Sequence, residues 1–500
     1  MTRIKGIHMS TFYITTAIDY PNGSPHMGHA YEKIITDFYA RWHALKGKEV
    51  HFLTGTDENG QKLIQSAKEA GQETLSYVDE QVIKFRALCE RLQITNNDFI
   101  RTTEDRHIKM AQKFWEDLKA SDDIYFGKYS GKYCYSCESF YTELQAPDGN
   151  CPHHHKPLEL KEEEGYFLKM SKYQDWIIDY IKSNPGFISP ARSHKEILAR
   201  LQAEDLRDLA ISRPSEGWGV PVPGDDKFVM YTWFDALINY YAGLNKEQQL
   251  EKLWPCDVHV IGKDIAWFHT VIWPIMLKAS GRELPKKVYV HGMVLAEDGR
   301  KMSKSLNNGV DPNEVMDNYP LDSFKYYLIR AISASADGAF SLKDLAQKHN
   351  SELANDFGNL VMRVVKFTLK KIGDELSTEG QEQLVSYDQC FADMDEKILN
   401  MEHNRAVDRL WESVNHANAY INEAEPWKIK EDPEKLKTVM ANLLYGVHCL
   451  AYMLQPICPG AAEKTLNFLG VDKNQSPIGK FTQTYKLTEP EILFTKIELD

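Results

Sequence analysis

Apolar positions change period several times along the chain. From Thr11 to Ala17, TFYITTA has the β-branched and aromatic content of a strand, IDYPNGSP breaks the run, and from about Met27 to Lys46 apolar residues recur at helical spacing. VHFLTGT reads as a second strand ending in DENG at 57–60, after which QKLIQSAKEAG and LSYVDEQVIKFRALCERLQI are again helical. Strands alternating with helices predict a parallel sheet with crossovers. From about 120 to 225, tyrosines, cysteines, prolines and short apolar runs break the alternation and predict an insertion. Alternation resumes with DVHVIGKD at 257–264, a helix over AWFHTVIWPIMLKAS and a strand in KVYVHGMVL, so the sheet should be split in sequence. After Asn355 long amphipathic runs predict a separate helix bundle.

Composition narrows the class. With 500 residues, 43% hydrophobic and 26% charged, the chain reads as a soluble globular protein of two to four domains. No stretch of roughly eighteen uncharged apolar residues occurs, and no apolar segment follows the N-terminal MTRIKGIHMS, so the expected location is cytoplasmic, away from membranes. Met9 could serve as an alternative start. A net charge of −13 argues against blanket attraction to nucleic acid but leaves room for a local basic face.

Three of the eight cysteines cluster in CYSCESFYTELQAPDGNCPHH. Cys134 and Cys137, then Cys151 with one of His153, His154 or His155, have the paired spacing of a tetrahedral Zn²⁺ site. His154 completes the second pair with two intervening residues, and four ligands imply one structural ion.

SPHMGHAYEKII, at 24–35, admits three readings. His26 and His29 share a helix face and could hold zinc, they could be ordinary surface histidines, or the helix start could bind phosphate, with Gly28 letting a nucleotide approach. The third gains weight from EDGRKMSKSLNNG at 297–309, where Lys301, Ser303, Lys304 and Ser305 lie between Gly299 and Gly309. HMGH after the first strand and KMSKS after the last resemble the two signatures of class I aminoacyl-tRNA synthetases. The layout from Thr11 to the end of the bundle is similar to the methionyl-tRNA synthetase family, and the cysteine cluster resembles its single zinc-knuckle form.

The resemblance implies an α/β fold: a Rossmann-like parallel-sheet catalytic domain (1–120 and 226–296) split by a zinc-knuckle insertion (121–225), a KMSKS loop and linking region (297–354), and an α-helical anticodon-binding bundle (355–500). It implies a methionine-tRNA ligase that uses ATP with Mg²⁺ and charges tRNA(Met), initiator included, as a monomer. Carried onto this sequence, ATP would meet His26, Gly28, His29, Lys301, Ser303 and Lys304, with Asp264 and Arg213 also in the catalytic site. Methionine would meet Ile18, Tyr20, Asp57, Trp233, Ala236, Tyr240, Ile265, His269 and Trp273. Asn359, Arg363 and Trp427 would read the anticodon. Asp19 departs from the proline or tyrosine of some members, and Thr232 from a common valine. Rival readings are another class I ligase such as the cysteine one, a bare nucleotidyltransferase, and a catalytically silent RNA-binding protein.

Overall fold

The computed structural model describes residues 10–134, 139–141, 143, 146–152, 155–244, 247–302 and 308–498. Its central sheet has six parallel strands: β1 (Thr11–Thr16), β2 (Glu49–Thr56), β3 (Asp98–Arg101), β4 (Ile188–Ser189), β5 (Val258–Gly262) and β6 (Val288–His291). Their spatial order is β3-β2-β1-β5-β6-β4. Ile14 pairs with Phe52 on one side and Val258 on the other. Chain direction from β1 runs outward to β2 and β3 on one side, and the later strands fill the other. The switch point between β1 and β5 is where open α/β sheets leave a crevice beyond the strand ends.

Helix α1 (Met27–Leu45) follows β1 and matches the predicted span to within a residue. It is covered on almost every side, sheet on one face and bundle on the other, so even Glu32, Lys33 and Asp37 are buried. Trp42 stacks on Phe391 of the bundle with ring centroids 5.0 Å apart and donates its Nε1–H to Asp395 over 2.9 Å. Tyr39 Oη lies 3.2 Å from Nδ1 of His403, the first residue of helix His403–Ala424.

The insertion pairs strand Ile124–Cys134 antiparallel with Glu159–Leu168 and returns β4 to the main sheet, where Ile188 pairs with Val288. That return is absent from the sequence-based division. A two-residue strand carries no periodicity and exists only through its tertiary partner. The four-residue β3 escapes sequence reading for the same reason. The bundle is built chiefly of helices Asn359–Lys371, Asp388–Leu399, His403–Ala424, Pro433–Leu454 and Pro459–Leu469. Strand Thr484–Lys486 pairs with Glu375–Ser377 and ties the late chain to the bundle's start. Among the described residues, no helix is long and apolar enough to cross a membrane.

Candidate active site

A cavity of about 720 Å³ opens at the switch point. Ala17, Ile18 and Tyr20, just past β1, and Asp264 and Ile265, just past β5, contribute to its wall. Asp57 enters from the end of β2, while Trp233, Ala236 and Tyr240 come from the segment Thr232–Ala242. Arg213, His269 and Lys301 complete the predicted residues found there.

The floor of the cavity is pinned by a directed set of hydrogen bonds. His269 Nδ1 lies 3.0 Å from the Ile265 carbonyl, which can only accept, so Nδ1 carries the proton and Nε2 accepts from the Tyr240 hydroxyl at 2.7 Å. Burial pulls the His269 pKa down to about 4, which keeps the ring neutral. His269 lies in a π-helical stretch, Phe268–Ile272, a widened turn of the kind often found at functional sites. Phe268 stacks on Trp233 at 3.9 Å, so two aromatic rings side by side form an apolar wall.

Trp273 stands behind the wall in this structure. Its side chain is fully buried and is not part of the cavity wall. The indole stacks near Phe114 at 5.9 Å and donates Nε1–H to His259 over 3.3 Å, and His259 in turn lies 4.1 Å from the ring of Tyr240. Trp273 is carried over from the family resemblance, and the widened turn that precedes it alters the helical phase between it and His269. Its contribution to the cavity passes through Tyr240.

His26 and His29 open α1 as a reciprocal cap. The His26 Nδ1 accepts from Gly28 N–H at 3.1 Å, His29 Nδ1 accepts from His26 N–H at 3.1 Å, and the rings stack 3.6 Å apart. Each Nδ1 is therefore engaged with the backbone, which leaves the proton on Nε2 and disfavours the zinc reading of this pair. Burial, then the charges of His26 and Lys33, holds His29 well below its usual pKa, so it stays neutral. A Cβ on Gly28 would come within 3.0 Å of the His26 ring, so glycine leaves room for the cap itself.

His29 Nε2 lies 3.9 Å from Asp19, whose chain neighbours Ile18 and Tyr20 are on the cavity wall. Lys301 forms an isolated bridge with Leu295 and faces the same cavity, whereas His26, Gly28 and His29 are not part of its wall and adjoin it through Asp19. Ser303 and Lys304 lie outside the described residues. So do Cys137, His153 and His154.

Of the remaining metal candidates, Cys134 and Cys151 are both buried at the far, loop end of the insertion's hairpin, whereas His155 is exposed in a turn with φ +53°. Two buried thiols suit a soft tetrahedral ion. Among the described residues no group of three or more ligand-type side chains converges.

Asn359 and Arg363 are exposed one helical turn apart, and the Arg363 guanidinium sits 5.8 Å from the ring centroid of Trp427, which is 44% exposed. Arg363 is also held by Asn422 at 2.8 Å.

Sequence reading missed several wall residues: Asn22, Lys62, Arg200, Trp267 and Phe268. It also missed Gly60, where a Cβ would lie 2.0 Å from the Tyr20 hydroxyl, so only glycine admits that ring. Gly60 opens helix Gln61–Glu69 without a side-chain cap, which removes helix capping as the reason for Asp57.

The family model for tRNA synthetases class I (M) matches residues 12–157 and 154–365, and that for the anticodon binding domain of methionyl tRNA ligase matches 371–500. The chain belongs to the methionyl-tRNA synthetase family. The methionine–tRNA ligase of Clostridium tetani is 40% identical over 99% of this chain and 80% of its own length. That of Bacillus subtilis is 39% identical over 98% of this chain and 78% of its own length. Mycobacterium tuberculosis methionyl-tRNA synthetase in complex with methionyl-adenylate superposes with a TM-score of 0.91 at 33% identity, covering 97% of this chain and all of the other. Its apo form gives 0.85. The α/β catalytic body and the helical anticodon-binding region expected of a methionyl-tRNA synthetase are therefore both present.

Proposed function

We propose that the chain is a methionine–tRNA ligase that activates methionine with ATP in the switch-point cavity and charges tRNA(Met). The observation that carries this reading is the convergence of Asp57, Trp233, Tyr240 and His269 on the same cleft that Lys301 faces.

In the first step a methionine carboxylate oxygen attacks the α-phosphorus of ATP in line, the bond to the β-phosphate oxygen breaks, and pyrophosphate leaves. The nucleophile comes from the substrate, so the protein's work is alignment and charge stabilisation, and alignment alone can lower such a barrier by roughly 7 to 11 kcal/mol. Asp57 pairs with the methionine ammonium, and the Trp233, Tyr240 and His269 rings enclose the thioether, a polarisable group that packs well on aromatic faces. A methylene more or less changes binding by only about 1 to 3 kcal/mol, so the fixed tautomer and position of His269 matter to selection.

His26 and the neutral His29 donate Nε2–H to phosphate oxygens at the start of α1, with no proton removed. Lys301 and Lys304 stabilise the departing pyrophosphate, with Ser303 as a further donor and Asp264 and Arg213 beside them. Mg²⁺ bound with ATP supplies neutralisation of phosphate charge. In the second step the terminal ribose 2′-OH of the tRNA takes the methionyl group and AMP leaves. Arg363, Trp427 and Asn359 form a surface fit to stack on and hydrogen-bond to unpaired anticodon bases. Cys134, Cys137, Cys151 and His154 would hold one zinc ion that braces the insertion, and we place the enzyme in the cytoplasm as a monomer.

Pyrophosphate exchange run with each amino acid in turn tests the reading. Exchange with methionine and not with cysteine, isoleucine or leucine is expected. Equal exchange with cysteine, or none with any amino acid, refutes it.

A further inference from the structure

Lys33 is completely buried one helical turn beyond His29, on the same face of α1. Its ammonium is 2.5 Å from Asp19 Oδ2, and the other oxygen, Oδ1, faces His29 Nε2 at 3.9 Å. Asp19 is itself clamped. Its N–H donates to the Gly55 carbonyl at 2.8 Å and its carbonyl accepts from Asp57 N–H at 2.8 Å, so it cannot swing away from the start of α1. A fully buried lysine without a partner would be forced to shed its proton.

Beside this pair lies the α1 N-terminus, where phosphate is read to bind. A lone carboxylate there would repel a polyphosphate, and the structure carries its neutraliser within the same core. Burial, countered by Lys33, lifts the Asp19 pKa to about 6. Burial pulls on Lys33 as well, but Asp19 chiefly, with Cys89 and Glu32, raises its pKa overall, so the pair is ionic and nearly neutral as a unit at pH 7.5.

We propose that Lys33 acts on nucleotide binding through Asp19: its buried ammonium cancels the carboxylate charge that ATP would otherwise meet at the start of α1. The pair rests on the reading of His29 as a phosphate donor. Neither residue touches the reacting atoms, and the pair acts through the local field.

Steady-state methionine-dependent pyrophosphate exchange with Lys33→Met, Asp19→Asn/Lys33→Met and His29→Asn tests it. At pH 8.5, where Asp19 deprived of Lys33 is most fully ionised, Lys33→Met should raise KM for ATP at least tenfold while KM for methionine changes less than threefold. The double variant should return KM for ATP to within threefold of the parent, because removing the carboxylate removes the repulsion. In Lys33→Met the defect should also shrink from pH 8 to pH 6 as Asp19 takes a proton, with His26, His29, Glu32, Asp57 and Cys89 the other titratable groups around it. A double variant that folds but keeps a tenfold defect, or a Lys33→Met protein with parental KM for ATP, overturns the proposal. Should Lys33→Met fail to fold, Lys33→Gln, which also removes the charge, is read by the same two outcomes. The reading beneath it fails separately: that outcome is His29→Asn with unchanged exchange kinetics.

Discussion

The Tyr240 hydroxyl donates to His269 Nε2 across 2.7 Å at the floor of the cavity, and both side chains are buried. Tyr240→Phe keeps the ring and strands that nitrogen without its donor. Leaving one buried polar atom unpaired costs about 1 to 3 kcal/mol. Part of this should appear as a roughly 5- to 100-fold lower kcat/KM for methionine in pyrophosphate exchange, with KM for ATP nearly unchanged. An unaltered methionine kcat/KM would remove Tyr240 from substrate selection.

Trp427 and Arg363 lie on the bundle surface, and neither is part of the cavity wall. Trp427→Ala should leave pyrophosphate exchange within about twofold and lower tRNA charging strongly, since a base–aromatic stack is worth about 1 to 3 kcal/mol. Lys304→Ala should do the reverse to the first step, collapsing adenylate formation while sparing methionine binding. Loss of both steps in Trp427→Ala would show that the two regions do not divide the work in this way.

His403 is buried where the bundle meets α1, held by Tyr39 and by the Ile332 carbonyl. Burial lowers its pKa from 6.5 to about 4. Below pH 6.5 the unfolded chain binds a proton at this site that the folded chain refuses until about pH 4, so stability falls as pH falls through that window. The slope is up to about 1.4 kcal/mol per pH unit from this group. Urea unfolding at pH 7.5, 6 and 5 should show this decline, and His403→Gln should flatten it by an amount near that slope.

Cys151 is buried in the turn that closes the insertion's hairpin, its carbonyl accepting from His155 N–H at 2.8 Å. With a zinc ion bound there, metal analysis of the purified protein should find about one zinc per chain. Cys151→Ala should lose it and make the insertion sensitive to limited proteolysis. Full zinc content in Cys151→Ala would assign the ion elsewhere.

Much of the site was legible along the chain because its residues sit at places that local pattern marks: the ends of β1 and β5, and the start of α1. Histidines at a predicted helix start admit an anion site as one of three readings, and TFYITTA needs no partner to read as a strand. Trp233 and Trp273, by contrast, look alike in sequence, each in an aromatic helical run. One lines the cavity and the other props Tyr240 from behind, because a widened turn alters the helical phase between His269 and Trp273. Local spacing cannot register such a turn.

Sequence alone determined the α/β class, the split sheet, the helical bundle and the residue types at the two signatures, since period and composition are properties of neighbours in the chain. Tertiary structure decided that a two-residue strand joins the main sheet, that Gly60 makes room for Tyr20, and that Lys33 is a buried partner of Asp19 and not a solvated surface lysine. Each depends on what another segment places against the residue. A charge on a helix reads as surface until a sheet and a bundle are packed over both sides of that helix.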